Sequence, residues 1–269
     1  MQFTLLDGAM GTELMKRGLQ LGAFPERVNL THPADVQAIH RAYLEAGSDI
    51  LYACTFGANP LKAHGAAISP VIAAALENAR AAGSARVALD VGPLGALLEP
   101  YGDLTHDEAR AAFRQVFEAG KTADLVVMET FFDLTEALLA LETARETLPD
   151  IPHFVTVTFQ ASGRTLTGVT PAEAARALTA AGADAVGLNC SLGPTEALPL
   201  VRELRDSTDL PLIVKPNAGI PDPETGVYPL GAEAFAAAMQ PIAALGVSYL
   251  GGCCGTDPTY LRALGGLRA

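Results

Sequence analysis

Residues 124–128 read Asp-Leu-Val-Val-Met, and residues 212–215 read Leu-Ile-Val-Lys. Neither run alternates apolar with polar residues, so neither suits a strand with one wet face. Both suit parallel strands covered on two faces. Working outward, six more short β-rich runs are found at Phe3–Leu6, Asp49–Ala53, Arg86–Val91, Phe154–Phe159, Ala185–Leu188 and Val247–Leu250. Ala-rich amphipathic stretches separate them. Thr105 and Glu108 have capping-box spacing, Thr170-Pro171-x-Glu173 adds proline at the first helical position, and Asp257-Pro258 repeats the pattern. Gly47, Gly182 and Gly246 stand where helices should stop. Eight βα units in 269 residues predict an α/β fold, a (β/α)8 TIM barrel forming a single domain over residues 1–269. The rival is an open doubly wound sheet, which needs a reversal of strand order that nothing in the sequence signals.

Composition narrows the function. Eighteen basic against thirty acidic residues give a formal charge of −12, which excludes a nucleic-acid partner held through its phosphates. Apolar stretches are broken by Glu, Arg, Gly or Pro well short of a membrane span, so no membrane partner is expected. The opening MQFTLLDG has no basic n-region and no small-residue cleavage site, which reads as a cytoplasmic protein. The four cysteines are Cys54, Cys190, Cys253 and Cys254. The last two are adjacent, and a disulfide between neighbours would close a strained ring. A reduced compartment follows.

In this fold the chemistry sits where strands run into βα loops. Those ends carry Asp7-Gly8-Ala9-Met10-Gly11, Cys54-Thr55-Phe56-Gly57, Asp90-Val91-Gly92-Pro93, Glu129-Thr130 and Thr158-Phe159-Gln160. Asn189-Cys190, Lys215-Pro216-Asn217 and Gly251-Gly252-Cys253-Cys254-Gly255 complete the ring. Cys190, Cys253 and Cys254 thus converge on one mouth, and no histidine shares that placement. Three thiols with an open fourth position suit catalytic Zn2+, since structural zinc closes with four protein ligands. Consecutive strand residues point to opposite faces, so aiming Cys253 and Cys254 at one ion requires the backbone to leave strand geometry, which Gly251, Gly252 and Gly255 permit. Cys54, on the far side of the barrel, reads as a buried thiol rather than a ligand.

Asp7 and Glu129 are carboxylates at buried strand ends, and each needs a cationic partner. The Gly8-Ala9-Met10-Gly11 turn can offer backbone N–H groups to a carboxylate. Together these suit an α-amino acid. Plainer readings exist: Asp7 as a turn cap, Glu129 in an ion pair with Lys215, and Asn189 and Asn217 as loop braces.

The chain resembles the homocysteine S-methyltransferase family along almost its whole length. The resemblance is carried by LLDGAMGTEL at 5–14, TFGAN at 55–59, DVGPLG at 90–95, METFFD at 128–133, GLNCSLGP at 187–194, KPNAG at 215–219 and GGCCGT at 251–256. Within the family it looks most like the homocysteine-binding module of cobalamin-dependent methionine synthase. The resemblance implies that Cys190, Cys253 and Cys254 hold zinc and that Asp7, Gly8 and Glu129 bind the amino-acid end of homocysteine. Ala9, Thr55, Asn189 and Asn217 are the remaining candidate substrate contacts, and Asn217 is also a candidate for the fourth zinc position. Ala53-Cys54 departs from the Asn or Ser that often precedes Thr there.

The implied reaction is methyl transfer to a zinc-activated homocysteine thiolate, giving methionine. The expected donor is methylcobalamin or methyltetrahydrofolate on a cobalamin- or folate-binding domain or protein. A stand-alone enzyme using S-methylmethionine or betaine is the alternative; the absence of Trp weakens the case for a betaine cage. A non-catalytic zinc or redox-sensing barrel is the reading from another class, but it leaves Asp7, Glu129 and the glycine turn unexplained.

Overall fold

The computed structural model describes residues 1–19, 22–83 and 85–268. Its strands are β1 (Thr4–Leu5), β2 (Ile50–Tyr52), β3 (Arg86–Val91), β4 (Leu125–Phe131), β5 (His153–Val157), β6 (Ala185–Asn189), β7 (Leu212–Lys215) and β8 (Tyr249–Leu250). The helices are α1 (Met10–Lys16), α2 (Val28–Thr31), α3 (Pro33–Glu45), α4 (Ser69–Arg80), α5 (His106–Ala119), α6 (Leu134–Thr147), α7 (Pro171–Ala180), α8 (Pro194–Arg205), α9 (Ala232–Ala243) and α10 (Pro258–Gly265). All strand pairs are parallel, in the order β1-β8-β7-β6-β5-β4-β3-β2. A parallel bridge from Leu6 to Ile50 joins the two ends of that order. The sheet therefore closes into the expected (β/α)8 barrel, and the open-sheet rival falls. No helix among the described residues is long and apolar enough to cross a membrane.

The helix signals behave as their chemistry requires. Thr105 with Glu108 and Thr170 with Glu173 form reciprocal capping boxes, and the Asp257 side chain accepts from Thr259 N–H. Gly47, Gly182 and Gly246 follow helix ends with φ of 101°, 84° and 73°.

Two cores hold the barrel. The larger lies between strands and helices and contains Leu89, Val126, Val155 and Val214; the smaller fills the barrel and contains Ile50, Ala88, Leu125, Val127, Phe154, Ala185 and Ile213. Side chains alternate along a strand, so the inward row continues upward from Ala88 to Asp90, from Val127 to Glu129 and from Ile213 to Lys215. The barrel interior is apolar at its floor and polar at its C-terminal rim. That change along single strands is what positions the site.

Most strands begin or end a residue or two away from the expected runs. His153 opens β5 instead of preceding it. Strand β4 runs on past Met128 to Phe131, with a register shift against β5 and a φ of 67° at Thr130. An irregularity of this kind re-aims side chains at a barrel rim, and it falls at Glu129.

The loop after β3 is fastened from behind. Leu94 N–H donates to Glu136 Oε1 at 2.7 Å, and Glu136 lies buried on α6. Burial lifts the Glu136 carboxyl from 4.5 to about 7. Its folded pKa exceeds its unfolded value, so the native state binds the extra proton between those values, and stability falls as pH rises through that interval. Glu136→Gln keeps an acceptor for Leu94 and removes the titration. Wild type should therefore lose on the order of 2–3 kcal/mol relative to Glu136→Gln between pH 4.5 and 8. Urea unfolding of both proteins across that range is the check, and parallel pH profiles would show that another group is responsible.

Candidate active site

Three loops meet at the rim and are tied to one another through the backbone. Cys190 N–H donates to Lys215 O at 3.0 Å, Cys253 N–H to Pro216 O at 2.8 Å and Ala218 N–H to Cys254 O at 3.0 Å. Cys190 and Ser191 have φ of 62° and 57°, an uncommon left-handed pair that turns the chain sharply off β6. After β8 ends at Leu250, the glycines act differently from one another. Only Gly255 is left-handed (φ 81°); a side chain at Gly251 would meet Asp7 O at 2.8 Å, and one at Gly252 would meet Thr256 Oγ1 at 2.5 Å. Gly255 thus supplies the turn, while Gly251 and Gly252 permit close approach.

The result is a cluster in which the Sγ atoms of Cys190, Cys253 and Cys254 all lie within 4.8 Å of one another, with Cys190 and Cys254 at 3.8 Å. The thiols of Cys190 and Cys253 hydrogen-bond to Cys254 and hold its pKa down to about 3. Tetrahedral zinc with Zn–S bonds of about 2.3 Å sets sulfurs about 3.8 Å apart, so spacing and donor type fit a zinc ion with an open fourth position. Cys54 stands outside the cluster, and burial pushes its thiol well above the ordinary range.

Beside the sulfurs, one buried cation organises the carboxylates. Lys215 Nζ lies 3.3 Å from Asp7 Oδ1, 3.6 Å from Glu129 Oε2 and 3.5 Å from the Tyr52 ring centroid. Burial alone would lower the Lys215 pKa, but Glu129, Tyr52 and Asp7 outweigh it and hold the ammonium firmly charged. Tyr52 N–H also donates to Asp7 Oδ2 at 2.7 Å; even so, burial lifts Asp7 to about 6. Glu129 is likewise raised by burial.

These groups line a cavity of about 470 Å³, the size of a small-ligand site. Asp7, Gly8, Ala9, Glu129 and all three clustered cysteines face it. The Gly8 and Ala9 N–H groups have no acceptor among the described residues. A Cβ at Gly8 would meet Thr256 Oγ1 and Tyr43 Oη, each at 2.8 Å, so any other residue would have to displace those side chains.

Three sequence candidates, Thr55, Asn189 and Asn217, are buried beside the cavity and do not line it. Thr55 Oγ1 donates to Asp90 O at 2.7 Å and accepts from Asp90 N–H at 3.1 Å. Asn189 Oδ1 accepts from Thr130 N–H and Thr156 Oγ1, both at 2.8 Å, while its Nδ2 donates to Thr130 Oγ1 at 2.7 Å. Both side chains hydrogen-bond within the protein in this way, and Asn189 Nδ2 also lies 3.9 Å from Cys253 Sγ. Asn217 is buried too, but its Oδ1 has no hydrogen-bond partner.

The sequence reading gave no site role to Asp90, Tyr52, Glu26 or Tyr228, all of which line the cavity. The signal was present for Asp90, an acid at a strand end like Asp7 and Glu129. No local pattern marks Glu26 or Tyr228, which arrive on long βα loops.

Comparison with known proteins agrees with this arrangement. The family model for homocysteine S-methyltransferases matches residues 4–266. A Mycobacterium leprae methionine synthase is 33% identical over 288 residues, covering 95% of this chain; the chain spans about a quarter of that protein's length (23%). The S-methylmethionine–homocysteine S-methyltransferase BHMT2 of Pongo abelii is 32% identical over 96% of this chain and 76% of its own length. The metallated crystal structure of the homocysteine methyltransferase MmuM from Escherichia coli superposes with a TM-score of 0.83 at 25% identity, covering 98% of this chain and 96% of that one. With its three-cysteine cluster beside a cavity of paired carboxylates, the chain belongs to the homocysteine S-methyltransferase family.

Proposed function

We propose that the chain methylates the thiol of homocysteine to give methionine, with zinc held by Cys190, Cys253 and Cys254 and a small cationic methyl donor of the S-methylmethionine class. The observation that carries this reading is the placement of three sulfurs within 4.8 Å of one another on the same cavity as Asp7 and Glu129. A thiol acceptor would meet the metal at one end of the cavity while its ammonium meets the carboxylates at the other.

Zinc bound there would supply the Lewis acidity that makes a thiol, of ordinary pKa about 8.5, a nucleophile at neutral pH. The remaining work belongs to the chain. Asp7 and Glu129 bind the homocysteine ammonium, and Lys215 between them offsets part of the cost of burying both carboxylates. The Gly8 and Ala9 N–H groups are placed to receive the α-carboxylate. Three cysteine thiolates leave the metal site with a net charge of −1, so sulfur density is not drained from an incoming thiolate. Asn217, with its unpartnered buried Oδ1, is the neutral side chain we assign to the fourth position before substrate arrives.

A small diffusible donor is favoured over methylcobalamin or methyltetrahydrofolate by the similarity to the E. coli enzyme and to BHMT2, whose name specifies S-methylmethionine. Methionine formation from homocysteine should be fastest with S-methylmethionine when that donor, betaine, methylcobalamin and methyltetrahydrofolate are assayed side by side. Turnover confined to methylcobalamin would overturn the donor assignment.

The metal assignment has its own check. One zinc per chain is expected, lost when Cys190, Cys253 or Cys254 is replaced by Ala and retained in Cys54→Ala. Full zinc occupancy in Cys253→Ala would sink it. For substrate capture, Glu129→Gln should weaken homocysteine binding by about 1.5–3 kcal/mol, the worth of a hydrogen bond to a charged group, with zinc content unchanged. Calorimetry reads this directly, and an unaltered affinity would make Glu129 structural.

A further inference from the structure

We propose that Asp90 binds the positively charged onium centre of the methyl donor and thereby sets donor specificity, an inference that rests on the homocysteine methyl-transfer reading above. Asp90 is the penultimate residue of β3, is 7% exposed and faces the cavity, yet its Oδ1 has no hydrogen-bond partner. Its backbone is fixed on both sides by Thr55, whose hydroxyl accepts from Asp90 N–H and donates to Asp90 O. The carboxylate is held in place and left unsatisfied. A buried carboxylate without a partner destabilises the fold, so its presence on a cavity wall points to a ligand that completes it.

Counting charges identifies that ligand. Asp7, Glu26, Asp90 and Glu129 line the cavity, and among the described residues Lys215 is the one basic residue lining it. Lys215 is shared by Asp7 and Glu129; Glu26 has one oxygen without a hydrogen-bond partner, but its Oε1 accepts from Gly57 N–H at 2.6 Å and Lys62 offsets its charge. The ammonium of homocysteine is matched by the Asp7–Glu129 pair. Asp90 is left for a second positive charge, and the second substrate brings one. Burial and the nearby Glu129 raise the Asp90 pKa well above the usual carboxylate range, and a cation against it would reverse that cost.

The position suits the reaction. In the ring of strands, β3 lies opposite β7, and the cysteine loops follow β6 and β8 on either side of β7. Asp90 therefore faces the sulfur cluster across the cavity, the side from which a donor must present its methyl for in-line attack. Met10, Leu14, Met15 and Phe56 line the same cavity and offer an apolar wall to the other onium substituents. In the transfer, the homocysteine thiol first gives its proton to solvent. A new S–CH3 bond then forms from the thiolate lone pair as the donor S–CH3 bond breaks, and that bonding pair stays on the donor sulfur. The departing thioether has lost the charge that Asp90 recognised, so it is released more readily than the donor was bound.

The test separates two Michaelis constants in Asp90→Asn, with S-methylmethionine as donor. KM for S-methylmethionine should rise by about ten- to a hundredfold, while KM for homocysteine and zinc content stay near wild type and Asp90→Glu recovers part of the loss. Trimethylsulfonium, which carries no amino-acid group, should inhibit wild type competitively against the donor and lose that inhibition in Asp90→Asn. A rise in KM for homocysteine instead would assign Asp90 to the acceptor ammonium, and no change in either constant would leave it structural; both outcomes overturn the proposal. Wild-type enzyme that does not use S-methylmethionine refutes the donor reading itself, however Asp90→Asn behaves.

Discussion

Lys215 is the residue on which the mouth of this barrel depends. Its ammonium stands within reach of Asp7 and Glu129 and over the Tyr52 ring, so four strands (β1, β2, β4 and β7) meet at a single charge. Two carboxylates at this depth would repel each other and take up protons; one lysine between them opposes that tendency, although burial still leaves both pKa values raised. The same residue reaches the cysteine cluster through its backbone, since Lys215 O accepts from Cys190 N–H. Substrate end and sulfur end are thereby referenced to one strand terminus. A site of this precision needs such a shared datum, because each remaining part arrives on a different loop.

Much of this was legible in the sequence. Unbroken apolar runs, capping boxes and stop glycines specify alternating parallel strands and helices, and they do so locally. The cysteine cluster was legible too, because a strand-end rule converts sequence position into position on the rim. What escaped was anything decided by a neighbour. Asn189 reads like Asn217, yet Asn189 has its amide taken up by Thr130 and Thr156 while Asn217 keeps a free oxygen. Thr55 looks like a substrate hydroxyl, and that hydroxyl clamps Asp90. No sequence rule separates these cases, since the deciding atoms lie tens of residues away.

Strand β4 illustrates a different kind of difficulty. Its apolar run ends at Met128, so the sequence places Glu129 just beyond the strand. The strand in fact continues to Phe131 through a shifted register. Hydropathy reports where burial ends; hydrogen-bonded pairing can persist into polar positions, and at a functional rim it does so under local distortion.

The seam of the barrel has a consequence for how the protein comes into being. Strands β1 and β8 are two residues each, and they pair Thr4 with Tyr249 and Leu5 with Leu250. Asp7 follows the first of these strands and Cys253 and Cys254 follow the second. The two most distant parts of the chain must therefore find one another before the acid and the thiols share a cavity. Contacts of such long sequence separation form late in folding, and during synthesis they must wait for the last strand to emerge. A nascent or partly folded chain thus displays its thiols and carboxylates apart, and the capacity to gather metal and substrate arrives only with closure. Assembly of the site and completion of the barrel are one event.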